Sequence, residues 1–130
     1  MDPLVGIVLV SHSSEIARGL KSLLGQIGSG AVTVIAAGGT DEGGIGTSYQ
    51  QIRGALRAAD TGAGVVVLPD LGSSVLTTRA VLDDDPAIDA VTVDAPFLEG
   101  AVAAVVAAEG GADVSAVAEA AEEARHVSKF

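Results

Sequence analysis

The chain has 130 residues, nearly half of them apolar but almost none aromatic, no cysteine and a formal net charge of −10. That length holds one domain with its own core and is short for two, so residues 1–130 are read as a single domain whose interior is Val, Ile, Leu and Ala. Acids spread along the chain without a basic cluster disfavour nucleic acid and acidic membrane surfaces as partners, and the missing cysteine removes disulfides, thiolate metal sites and thiol nucleophiles.

The N-terminus lacks the basic and apolar regions of a secretory signal, and no apolar run approaches the roughly 20 residues that span a bilayer, so a cytoplasmic location is expected. Leu4 to Val10 is a nearly continuous aliphatic run, too short for a helix, and reads as a strand buried on both faces. It stops at Ser11-His12-Ser13-Ser14. Ser13 or Ser14 can cap a helix in which Ile16, Leu20, Leu23, Leu24 and Ile27 recur at helical spacing, ending near Gly25 or Gly28. Ala31 to Ala36 reads as a second buried strand opening into a glycine-rich segment. Thr47 or Ser48 can cap a second helix with Tyr49, Ile52 and Leu56 on one face. Gly64 to Leu68 is a third strand, followed by "PDLGSS" and a helix from about Ser74 to Leu82. "DDDP" is a turn, and Ile88 to Val93 is a shorter fourth strand. The next helix places Leu98, Val102, Val105 and Val106 inward, and a last acidic helix runs from about Val114 to Ala124.

Alternating strands and helices with aliphatic strands predict a doubly wound α/β fold, a three-layer αβα sandwich around a mainly parallel sheet. In such sheets functional groups gather at the carboxyl ends of the strands, where the strand order reverses. With about four strands in the order 2-1-3-4, the first and third flank that point, and His12 and Asp70 face each other across it. Around them lie the loops Ser11 to Ser14, Ala37 to Gly46, Pro69 to Ser73 and Asp94 to Phe97.

A carboxylate beside a histidine accepts one ring N–H, fixes the tautomer and leaves the other nitrogen free as a general base, metal ligand or nucleophile. Both loops run into helices, whose first N–H groups suit a dianionic phosphoryl group. Ser13, Ser14, Ser73 and Ser74 add hydroxyls, and Gly72 lets backbone approach closely. Together these features point to a phosphohistidine site. The bland reading makes His12 a polar boundary residue and Ser13, Ser14 and Asp70 helix caps. His126, in the tail, is given no role. The glycine-rich segment lacks the Gly-Lys-Ser/Thr of a P-loop and follows the second strand, so it reads first as a flexible surface loop and second as a lid or docking element. No Gly-x-Ser-x-Gly elbow supports a hydrolase, and the acids of a receiver domain are missing after the first strand. A metal held by His12 with Asp41, Glu42 or Asp94 stays an alternative without supporting ligand spacing; the leading reading expects no metal and no cofactor.

"IVLVSHSSEIARGL", "IAAGGTDEGGIGTS", "VVVLPDLGSS" and "APFLEGAVAAVVAAEGGAD" stand in order over most of the chain. Together they resemble the phosphotransferase subunit family of the phosphoenolpyruvate-dependent dihydroxyacetone kinases, whose domain is similar to the mannose-type IIA domain of the sugar phosphotransferase system. The resemblance implies phosphorylation of His12, orientation by Asp70, a homodimer, and a relay from phosphoenolpyruvate through enzyme I and HPr. The acceptor it implies is ADP held in the nucleotide-binding subunit, which then serves dihydroxyacetone bound in a third subunit. Ser-His-Ser and Leu-Gly-Ser-Ser favour this branch over Thr-His-Gly and Gly-Gly-Ser-Pro of the sugar-specific domains; Ser74 and Arg79 depart from its usual pattern. Some relatives carry fused HPr-like and enzyme I-like modules, so here the donor is expected to be a separate protein. A mannose-family sugar component and a regulatory phospho-acceptor module are the alternatives.

Overall fold

The structure, a computed structural model, describes residues 2–130. Four strands, β1 (Gly6–Ser11), β2 (Val34–Gly38), β3 (Val65–Pro69) and β4 (Ala90–Thr92), alternate with helices α1 (Ser14–Ile27), α2 (Tyr49–Ala59), α3 (Gly72–Asp84) and α4 (Phe97–Glu109). Helix α5 (Val114–Glu123) and a short 3-10 turn, Ala124–His126, follow. The strands form one sheet in the order β2-β1-β3-β4, and every pairing is parallel. The fold class and strand order are those read from the alternation of aliphatic strands and helices.

Side chains alternate across the sheet and so build two cores. On one face Ile7, Leu9, Val66 and Leu68 pack with Leu20 and Leu24 of α1, and with Ala101, Ala104, Val105 and Ala108 of α4. On the other, Val8, Val10, Val65 and Val67 pack with Ile52 and Leu56 of α2 and Val81 of α3. Each fully buried Val, Leu or Ile here contributes about 1.5–3 kcal/mol by leaving water.

Three expectations need correction. The second strand lies at 34–38 and not 31–36, because pairing decides: β1 aligns Ile7 with Val34 and Ser11 with Gly38. It is also a sheet edge, and Val34, Ile35 and Ala36 are only half-buried. The fourth strand shrinks to the three residues that pair with Val65, Val66 and Val67. Finally, two helices bury a narrower face than expected: Leu20 and Leu24 of α1 and Val105 of α4 are inside, with Val102 packed against them. Ile16, Leu23 and Ile27 of α1 are exposed, as are Leu98 and Val106 of α4. Gly100 and three alanines hold most of the inner face of α4 beside Val105, and their small size lets the helix sit close to the sheet, leaving Leu98 and Val106 outside.

Backbone closeness at β2 bears on the site. A Cβ at Gly38 would lie 2.6 Å from the carbonyl oxygen of Ser13 and 2.8 Å from the Cα of Ser14. Only glycine lets the end of β2 press against the start of α1.

Candidate functional site

The parallel register sets Val10 beside Pro69, so the chain leaves β1 and β3 at the same level of the sheet. The Asp70 N–H donates to the Val10 carbonyl at 3.0 Å and extends the ladder one residue past β3. His12 and Asp70, expected to face each other from sequence, then meet twice. The ring nitrogen Nδ1 lies 2.9 Å from Asp70 Oδ1, and the His12 main-chain N–H donates to Oδ2 at 3.0 Å.

Asp70 receives five hydrogen bonds. Besides the two from His12, Ser11 donates to Oδ2 at 2.9 Å, while Ser74 and the Leu71 N–H donate to Oδ1, each at 2.6 Å. Burial pushes its carboxyl up, but the donors from Ser74, His12 and Leu71 together outweigh that and hold it well below the usual carboxylate range. No lysine or arginine pairs with it among the described residues.

An ionised carboxylate only accepts, so Nδ1 carries the ring proton and Nε2 carries the lone pair. That nitrogen points away from Asp70 to the hydroxyl of Ser73. Ser74 is fully buried, with its Oγ also 3.2 Å from Nδ1. Ser11 is buried as well and accepts from the Ser13 N–H at 3.1 Å. Sequence alone assigns neither Ser11 nor Ser74 an orienting role. The available signal is their polarity where the run of β1 and the buried face of α3 demand apolar side chains.

The two helix starts differ. Ser13 caps α1, accepting from the Ile16 N–H at 3.3 Å, whereas Ser14 is engaged by Arg18, whose Nε donates to the Ser14 carbonyl at 3.3 Å. At α3 the cap position is Leu71, which has no side chain able to cap. Among the described residues the Gly72 and Ser73 N–H groups have no partner. They belong to the first turn of α3, whose Ser73 hydroxyl contacts His12 Nε2, at the positive end of the helix dipole. A Cβ at Gly72 would meet nothing within 4 Å, so the space before it is open.

The glycine-rich segment, read from sequence first as a flexible surface loop and second as a lid or docking element, carries hydrogen bonds of its own. Thr40 N–H donates to the Gly44 carbonyl at 3.0 Å, Gly44 N–H to Thr40 Oγ1 at 2.9 Å, and Ser48 to Asp41 at 2.5 Å. Its Gly46 N–H donates to the His12 carbonyl at 2.9 Å. Asp41 is thus occupied by Ser48, and Asp94 pairs with Arg125 at 2.9 Å. No three His, Cys, Asp or Glu side chains gather into a metal-binding group among the described residues. Nor is any helix among them long and apolar enough to cross a membrane. Three large apolar side chains of the glycine-rich segment and the start of α3 are exposed: Ile45 at 78%, Leu71 at 64% and Leu76 at 63%.

Residues 6–118 match the family model EIIA-man, described as the PTS system fructose IIA component. The chain is 32% identical over 106 residues to the phosphoryl donor subunit DhaM of PEP-dependent dihydroxyacetone kinase 2 from Listeria innocua, covering 79% of this chain and 85% of that protein. It is 35% identical over 115 residues to the phosphotransferase subunit DhaM of the PTS-dependent dihydroxyacetone kinase of Lactococcus lactis, covering 88% and 90%. The crystal structure of a protein of unknown function is similar at a TM-score of 0.81 and 30% identity, covering 92% of this chain and 94% of that one. An EIIA component from Streptococcus agalactiae shares the fold at a TM-score of 0.71 and 19% identity, covering 95% and 93%.

Proposed function

The chain belongs to the EIIA-man family, among the DhaM-type phosphoryl donor subunits, and on that premise we propose that it is a phosphohistidine carrier serving a dihydroxyacetone kinase. His12 is the carrier residue and Asp70 its orienting carboxylate. The observation that carries this reading is the pairing of a ring proton held at Nδ1 by Asp70 with an outward Nε2 beside the unpartnered N–H groups of α3.

In the proposed step the neutral imidazole attacks through the Nε2 lone pair. A P–N bond forms as the bond from phosphorus to the donor's leaving atom breaks, and that electron pair leaves with the donor. Asp70 stabilises the positive charge that develops on the ring and does not itself take the proton. Ser73 first hydrogen-bonds Nε2 and then turns its hydroxyl to the incoming phosphoryl oxygens. The Gly72 and Ser73 N–H groups receive the negative charge, with Ser13 and Ser14 at the neighbouring helix start. Little acid–base work is needed, because phosphoryl transfer depends mostly on positioning and charge stabilisation. The phosphoryl group is carried on the protein itself, so no cofactor enters.

The donor is HPr, loaded from phosphoenolpyruvate through enzyme I, and the acceptor is ADP held in the kinase's nucleotide-binding subunit, beside the subunit that binds dihydroxyacetone. In the second transfer a β-phosphate oxygen of ADP attacks phosphorus and the P–N bond breaks, restoring neutral His12. The exposed Ile45, Leu71 and Leu76 favour protein partners, since apolar side chains around a polar centre suit macromolecular docking. The whole chain acts as one cytoplasmic phosphocarrier domain. It pairs as a homodimer, for which the exposed apolar side chains of α1 and α4 offer a surface; sedimentation at micromolar concentration tests this.

The deciding experiment incubates the protein with phosphoenolpyruvate, enzyme I and HPr and measures acid-labile, base-stable phosphate. Wild type takes up phosphate and His12→Ala takes up none. Equal uptake by both, or none by either, refutes the carrier.

A further inference from the structure

The glycine-rich segment and the start of α3 are far apart in sequence, yet a short chain of hydroxyls joins them. Thr77 lies one helical turn after Ser73, and its hydroxyl donates to the Ser73 carbonyl at 2.9 Å. Thr47 Oγ1 lies 2.8 Å from Thr77 Oγ1. A carbonyl only accepts, so the single Thr77 proton is committed to Ser73, and the proton between the two threonines must come from Thr47. The chain therefore has one direction, from Thr47 to Thr77 to Ser73.

A threonine bonded to the carbonyl four residues back is common in helices and alone means little. Here its second bond comes from outside the helix. Thr47 follows Gly46, whose N–H holds the His12 carbonyl. Ser73, at the other end, touches His12 Nε2 through its own hydroxyl. The contacts thus close a ring that starts at the main chain of His12 and returns to its reactive nitrogen.

We propose that Thr77 is a positioning residue for phosphoryl transfer at His12, its hydroxyl fastening the glycine-rich segment to the first turn of α3 so that Ser73 is held against Nε2. This rests on the carrier reading. Thr77 touches neither the ring nor the incoming group, and it acts by keeping Ser73 and the Gly72 and Ser73 N–H groups in register with the histidine. Small misplacements of such groups are costly in rate, whereas partner docking, made by other side chains, is untouched.

Thr77→Val keeps the shape of the side chain and removes both hydrogen bonds. The rate of His12 phosphorylation at saturating phospho-HPr should fall about tenfold, roughly the worth of one well-placed hydrogen bond. KM for phospho-HPr should stay within about twofold. Thr77→Ser, which retains the hydroxyl, should restore the rate. Thr47→Val should be slow as well, and the double Val variant no slower than the worse single, as linked positions require. Thr47→Val carries the same test if Thr77→Val does not fold.

A wild-type rate in a folded Thr77→Val or Thr47→Val overturns the proposal, as does a loss confined to KM or a failed rescue by serine. Wild-type protein that takes up no phosphate on His12 overturns the carrier reading and this proposal with it. Labelled wild type with an unaffected Thr77→Val overturns the coupling alone.

Discussion

Helix α3 has a charged carboxylate at each end, and the two are held by different means. Asp70 precedes its first turn and is bound by hydroxyls, main-chain N–H groups and the His12 ring. Asp85 is the C-cap residue and is bound by Arg57 at 2.5 Å, with Arg53 at 3.7 Å. Both carboxyls are pulled below their ordinary range. The Arg57 hydrogen bond is the main cause at Asp85, whereas at Asp70 neutral donors overcome a burial that works against them. The helix dipole explains the division of labour: a carboxylate at the positive N-terminal end needs no cation, while one at the negative C-terminal end does. Because no arginine occupies Asp70, its Oδ1 accepts the imidazole proton alongside the Ser74 and Leu71 donors. A carboxylate that orients a histidine is kept charged by dipoles; one that only braces the fold can be kept charged by ions.

Substitutions can break this contrast. The largest effect belongs to Asp70→Asn, which removes the charge that fixes the ring tautomer. Transfer to His12 should slow by about 100-fold or more while the circular dichroism spectrum stays native, and a wild-type transfer rate would deny Asp70 its orienting role. Next comes Ser74→Ala, which strips one buried donor from the carboxylate and should cost about tenfold in the same assay. An effect on stability without one on rate would make Ser74 merely a core residue. The smallest is Asp85→Asn, which should leave transfer unchanged and lower the melting temperature slightly.

Acid and salt sharpen the comparison. A carboxyl whose folded pKa is depressed contributes stability that is complete above its unfolded value, about 3.9, and is lost as pH falls through the folded value. The melting difference between wild type and Asp85→Asn should therefore be full at pH 7 and fade in strong acid. In about 1 M salt it should shrink, since the arginines are screened, while the Asp70→Asn difference should persist. Equal salt sensitivity at both ends would erase the distinction.

The meeting of His12 and Asp70 was legible because parallel strands leave a sheet at matched levels, so residues just past two neighbouring strands must be close. The α1 cap was legible because Ser13 stands immediately before the helical period. What escaped has physical reasons. The run from Ala31 to Gly38 is small or apolar throughout, so only pairing with β1 selects 34–38. Outward Leu98 and Val106 follow from inward Ala101, Ala104 and Ala108, a choice that hydropathy alone does not reveal. Ser11 owes its importance to a carboxylate 59 residues away, a partnership that exists only once β1 and β3 are adjacent, while Ser74 bonds the same carboxylate locally, four residues on, and gains its importance when that carboxylate meets His12.

The main chain of His12 is tethered on both sides, its N–H to Asp70 and its carbonyl to Gly46. Loading and unloading would thus be an affair of the ring and what it carries, with no main-chain movement required. Charged and discharged forms would share one outline and differ mainly by the negative charge that the phosphoryl group brings to an already acidic molecule. Partners would then tell full from empty by sensing potential rather than shape.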